Sequence, residues 1–153
     1  GYVVAPEPML QRLATRLRAT SWMGTPLMAE IASRWIADGT ARELLAWQQE
    51  ELAARQSIVR EILGDYDVAA HPNGINAWLT LPSHWRTRSF VSQAALKHVA
   101  VTPAEPFVVG RLPEPHAVRI SLGVPSGRDE LRRGLEILAE VLQRAPEPAP
   151  LAL

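Results

Sequence analysis

Apolar residues recur along this chain with two periods, and the change between them falls near Gly64. Before that point the spacing is helical. Pro8 predicts a helix start, with Leu10, Leu13 and Leu17 on one face. Thr25-Pro26 reads as an N-cap followed by proline at the first helical position, and Gly39 as the residue past the end. Leu27, Ile31 and Trp35 line that helix. Thr40 and Glu43 have the spacing of a capping box, which opens a long helix running to about Gly64. Leu45, Leu52 and Val59 recur every seven residues along it, with Ile62 and Leu63 near its end. At 1.5 Å per residue it is roughly 35 Å long, enough to bridge two domains. Ahead of these helices, Tyr2–Ala5 is a short apolar run ended by Pro6, and predicts a strand without an evident partner.

After Gly64 short alternating runs appear. Val68–His71 predicts a strand, Pro72-Asn73-Gly74 a turn in which the glycine can take a positive φ, and Ile75–Leu81 a strand ended by Pro82. Arg86–Lys97 predicts a helix, Val99–Thr102 a strand followed by a proline-broken loop, and Ala117–Leu122 another strand. Ser126 and Asp129 suggest a second capping pair, opening a helix with Leu131, Leu135, Leu138 and Leu142 on one stripe. The fold class expected is α/β (α+β). A helical N-terminal segment with a long interdomain helix precedes a small α/β sandwich, whose antiparallel or mixed sheet is covered by two helices. The expected divisions are 1–39, the long helix 40–64, a small domain 65–144, and a proline-rich, mobile tail 145–153.

One residue breaks the apolar grammar in a useful place. In Ala117–Gly123, Val118, Ile120 and Leu122 alternate with Arg119 and Ser121. Arg119 therefore falls on the face opposite the aliphatic side chains, at the centre of a strand. A guanidinium is a planar fork that matches a carboxylate or phosphate with two parallel hydrogen bonds. A rigid strand makes it a precise anchor for an anion; the plainer alternative is an arginine on a wet sheet face. Ser121 shares that face and is placed either to support Arg119 or simply to meet solvent.

Composition narrows the chemistry. The 153 residues are 47% hydrophobic with formal net charge +0, enough for one sizeable core and without the basic excess that marks nucleic-acid contact. There is no cysteine, hence no disulfide or thiolate metal site, which fits a reducing, cytoplasmic setting. No run of 18 apolar residues exists to span a membrane. His71, His84, His98 and His116 lack ligand-like spacing, so no metal ligand is assigned, and none of the eight serines has a recognisable base nearby. The five tryptophans, Trp22, Trp35, Trp47, Trp78 and Trp85, read as core or interface side chains. Phe107 either walls a pocket or packs. Lys97 is the chain's single lysine and falls in the last turn of a helix, where a cation suits the dipole.

Three blocks in order carry a resemblance: His71-Pro72-Asn73-Gly74-Ile75-Asn76-Ala77-Trp78-Leu79-Thr80-Leu81-Pro82, Val99-Ala100-Val101-Thr102-Pro103-Ala104-Glu105-Pro106-Phe107, and His116-Ala117-Val118-Arg119-Ile120-Ser121-Leu122-Gly123. Together they resemble the C-terminal part of fold-type-I aminotransferases, the pyridoxal-phosphate enzymes, and most of all the aminotransferase-like domain of MocR-type regulators in the GntR family. Gly1–Pro6 resembles the segment just after the cofactor lysine of such proteins. The resemblance implies that Arg119 binds the carboxylate of an amino-acid effector or substrate. It implies that the pyridoxal-phosphate lysine lies before Gly1, so the chain would be the C-terminal third of a longer polypeptide. No catalytic or cofactor-binding residue is then assigned within it, and by itself it should not catalyse transamination. The parent would bind DNA through a separate N-terminal domain, form a homodimer, and not enter a membrane. A free-standing class I/II aminotransferase is the alternative.

Overall fold

A computed structural model describes residues 3–110 and 113–144. It divides into two compact units, Gly1–Ala46 and Trp47–Leu153, with the boundary inside a helix. The expected fold class holds: the described residues form five α-helices and one four-stranded antiparallel sheet.

The first unit is helical. α1 spans Glu7–Ser21 and α2 spans Pro26–Asp38. Thr25 and Pro26 start α2 as expected, and Gly39 ends it at φ 92°, in the left-handed region where glycine costs least. α3 spans Thr40–Leu63. The expected capping box at its start is replaced. Thr40 is already helical, and its N–H donates to the Asp38 carboxylate at 2.9 Å, because the tight turn at Gly39 brings that side chain back over the new helix end. This contact holds the Asp38 carboxyl below its ordinary range. Neither α1 nor α2 buries a residue. Of the strand expected at Tyr2–Ala5, the described part, Val3–Ala5, has no regular structure and no ladder partner among the described residues, and Val4 is 98% exposed. Tyr2 and the tail 145–153 lie outside the described residues.

The second unit holds the core. β1 (Val68–Ala70), β2 (Asn76–Thr80), β3 (Thr102–Pro103) and β4 (Ala117–Ser121) form a sheet of order β1-β2-β4-β3, antiparallel throughout. α4 (Thr87–Leu96) and α5 (Arg128–Gln143) follow β2 and β4. Ala77 and Leu79 of β2 share the buried face with Val118 and Ile120 of β4, and Leu81 and Leu122 continue it. Against it lie Phe90 and Ala94 of α4, then Leu131, Leu135, Leu138, Val141 and Leu142 of α5. Ile58, Val59 and Leu63 of α3 join the same cluster, so three helices cover the sheet where two were expected. Each fully buried Leu or Phe is worth roughly 1.5–3 kcal/mol.

Several details differ from the sequence reading for local reasons. β3 is two residues long, and begins at Thr102 where Val99 was expected. Proline at its second position brings no N–H to a ladder. The 72–74 turn closes with the Gly74 N–H donating to the His71 carbonyl at 2.8 Å. Gly74 does not take a positive φ there; a Cβ on it would stand 3.2 Å from the His71 oxygen, so close approach is what favours glycine. At α5 the N-cap is Gly127. Glu130, rather than Asp129, reaches back to Ser126, accepting from its N–H at 2.7 Å and its hydroxyl at 2.6 Å. Of the tryptophans, Trp85 is core, whereas Trp22, Trp35 and Trp47 are exposed.

Candidate functional site

The sheet face turned away from the helices carries the unusual chemistry. Register places Trp78 of β2, Arg119 of β4 and Thr102 of β3 side by side in one row across three strands. One step along, Asn76 stands opposite Ser121. Arg119 is half-buried between the buried Val118 and Ile120, so alternation has put a guanidinium on this face, as the sequence predicted.

Phe107, on the short 3-10 turn Glu105–Phe107, completes the group. Its ring lies under the guanidinium, with the Arg119 Cζ 4.8 Å from the ring centroid. The same ring meets Trp78 edge-on, at 5.3 Å between centroids and 88° between planes. A cation over an aromatic face gains about 0.5–2 kcal/mol, more where water is excluded. The Arg119 Nη2 reaches Thr102 Oγ1 only at 3.5 Å, the long limit of a hydrogen bond. The Nε–H is buried and has no acceptor among the described residues. Leaving a buried donor unmade costs about 1–3 kcal/mol. The cationic fork is thus held from one face by Phe107, while its buried Nε–H has no acceptor among the described residues.

An open cleft of ≈ 680 Å³ adjoins Arg119, lined among others by Val101, Thr102, Ser121, Leu131 and Arg133. That volume suits a small ligand, for which sites run roughly 300–1,000 Å³. No hydrogen bond joins Ser121 to Arg119 among the described residues; it stands two residues along the strand, beside Asn76. The arrangement can bind a planar anion on the guanidinium edge.

Lys97 caps the C-terminal end of α4, and its Nζ pairs with the Glu140 carboxylate at 3.1 Å. An imine with pyridoxal phosphate requires a free lysine amine. Lys97 is the chain's one lysine, and its amine makes that partly exposed ion pair. Among the described residues no group of histidine and carboxylate side chains could hold a metal ion, and no helix is long and apolar enough to cross a membrane.

Sequence reasoning found Arg119 but missed its neighbours Trp78 and Thr102, which join it only through register. It also passed over Arg55 and Gln56 on α3. These are the only buried polar side chains among the described residues. The signal was present: 52, 55, 56, 59 and 63 form one helical stripe, and two of its five positions are polar.

No family model matches the chain. It is 31% identical over 142 residues to the HTH-type transcriptional regulator YdeF of Bacillus subtilis, and 25% identical over 149 residues to the HTH-type transcriptional regulator YisV of the same organism. The matches cover 93% and 94% of this chain but 31% and 30% of those proteins, so it spans about a third of the relatives' length. Among solved structures, the kynurenine aminotransferase of Pyrococcus horikoshii superposes with a TM-score of 0.73 at 18% identity, over 89% of this chain and 34% of that one. The chain therefore has the fold of the C-terminal portion of a fold-type-I aminotransferase, and its curated relatives are HTH-type regulators.

Proposed function

We propose that this chain is the C-terminal part of the effector-binding, aminotransferase-like region of a GntR/MocR-type transcription regulator, with Arg119 holding the carboxylate of an amino-acid effector. The observation that carries the reading is a buried Nε–H, without an acceptor among the described residues, on a guanidinium already stacked on Phe107. Such a donor is completed by an acceptor oxygen, and a carboxylate supplies two in the matching plane. Identity of 31% to an HTH-type regulator supports regulator over enzyme. In this reading residues 1–39 end a large domain, 40–64 are the interdomain helix and 65–144 the small domain. Pyridoxal phosphate, DNA contact and homodimerisation then belong to the longer cytoplasmic protein, with the cofactor lysine outside this chain. An effector that makes different contacts in two states shifts their populations, and DNA affinity with them. The free-standing aminotransferase is the second reading, favoured by the enzymes of this fold, and it gives Arg119 the same task.

The test is a nuclear magnetic resonance titration of the labelled chain with L-alanine and with L-alaninamide, which lacks the carboxylate. A saturable shift of the Arg119 Nε–H with the acid alone is expected. Arg119→Lys should weaken binding at least about tenfold, since an ammonium cannot form the fork. Equal responses to acid and amide, or an unchanged affinity in the variant, would show that Arg119 anchors no carboxylate.

A further inference from the structure

We propose that Arg55 and Gln56 of α3 are positioning residues for Arg119, gripping the ends of the two strands that carry the site row. This rests on the reading of Arg119 as the carboxylate anchor.

The two side chains are consecutive, 8% and 2% exposed, and each spends its donors on backbone carbonyls of a different strand end. Arg55 Nη1 donates to Leu122 O at 2.7 Å and to Pro125 O at 2.9 Å, just past β4. Gln56 Nε2 donates to Gly74 O at 2.8 Å and to Asn76 O at 3.3 Å, at the start of β2. β2 and β4 are neighbours, and these are their matching ends: Asn76 pairs with Ser121, and the Leu122 N–H donates to Ile75 O at 2.8 Å. Trp78 and Arg119 pair two residues further in, roughly 7 Å along the strands. The grip therefore lies one side-chain repeat from the candidate site.

Its charge is compensated within the same unit. The Arg55 Nε bonds Glu51 Oε1 at 2.7 Å, while Glu51 Oε2 accepts from Arg128 of α5 at 2.6 and 2.9 Å. Glu51 thus ties the buried arginine to the first turn of the helix that follows the gripped loop. Apolar side chains at 55 and 56 would continue the stripe of Leu52, Val59 and Leu63 and serve core burial alone. What the polar pair adds is directional: hydrogen bonds fix the height and register of two strand ends, which dispersion contacts specify poorly. A carboxylate fork needs its partner held to a fraction of an ångström, and Arg119 inherits that placement from the strand.

The test uses Gln56→Leu and Arg55→Met, which keep volume and remove the donors. Glu51 retains Arg128, so no carboxylate is orphaned. Arg55→Lys is the milder variant if Arg55→Met does not fold. In the ligand-free chain, hydrogen exchange at the Leu122 N–H and the Arg119 Nε–H should quicken at least tenfold, with the Phe90 amide of α4 within twofold of the parent. The dissociation constant for L-alanine should rise about fivefold in each variant, and less than twofold when Gln56→Leu is added to Arg119→Lys. Uniform acceleration that includes Phe90, with L-alanine affinity unchanged, would reduce the pair to ordinary core residues and overturn the proposal. If the parent chain does not bind L-alanine, the carboxylate reading fails, and the local exchange pattern still decides whether α3 holds the Arg119 strand.

Discussion

The two compact units are built from the same kind of helix pattern and use it differently. α1 and α2 carry apolar residues at helical spacing, in weaker stripes than that of α5, and Leu17 is 58% exposed and Leu27 66%, while Leu135 and Leu138 are 1%. Periodicity reports which residues share a face; burial needs a second surface with its own apolar residues. The sheet face of Ala77, Leu79, Val118 and Ile120 supplies that surface to α4, α5 and the later part of α3. Stability should therefore concentrate in the second unit.

The largest test of that contrast is Leu135→Ala, which removes a central core side chain. It should cost about 2–5 kcal/mol, read from the urea midpoint at constant m. A loss under about 1 kcal/mol would show that the cluster is looser than its burial implies. Gly64→Ala comes next. A Cβ there would collide with the Arg60 carbonyl at the end of α3, and relieving such overlap costs about 1–3 kcal/mol. Gly39→Ala, in the first unit, meets no neighbour but is strained by its positive φ, at about 1 kcal/mol. Leu17→Ala should fall within about 0.5 kcal/mol, because an exposed position loses little and alanine suits a helix.

Acid separates the units in another way. In the second unit Arg128 and Arg55 hold the Glu51 carboxyl below its ordinary range, Arg132 does the same to Glu61, and Ser126 to Glu130. In the first unit Thr40 holds the Asp38 carboxyl down. A depressed carboxyl stabilises the fold fully above its unfolded value, and the gain is lost as pH falls through the folded value. Chemical denaturation at pH 7 and below pH 4 should show a falling midpoint. In Glu51→Gln the pH 7 midpoint should drop and the slope against pH flatten; an unchanged slope would mean that the Arg128 pairing is too exposed to count.

What the sequence disclosed follows from how local each signal is. Thr25-Pro26 and Gly39 fix α2 through neighbouring residues, and the Leu131–Leu142 stripe needs only its own helix. Arg119 was visible because strand alternation is local too. Its company was not: Trp78 and Thr102 stand 41 and 17 residues before it, and only antiparallel register joins them. Phe107 reaches the row through a 3-10 turn that a proline-broken stretch does not announce. Val3–Ala5 failed as a strand for the complementary reason, that propensity without a partner makes no ladder.

The strand order also sets a schedule for folding. β2 and β4 are the central pair, but α4, β3 and the 3-10 turn lie between them in the chain. Pairing Asn76 with Ser121 must close a loop of over forty residues before the ladder returns any free energy. As a nascent chain emerges, β2 lacks its β4 partner until that strand has left the ribosome, and α5 follows later still. High contact order of this kind slows folding relative to helical segments, whose contacts are close at hand. The segment from α3 to β3 is thus an interval of exposure during synthesis, ended by the arrival of the strand that bears Arg119.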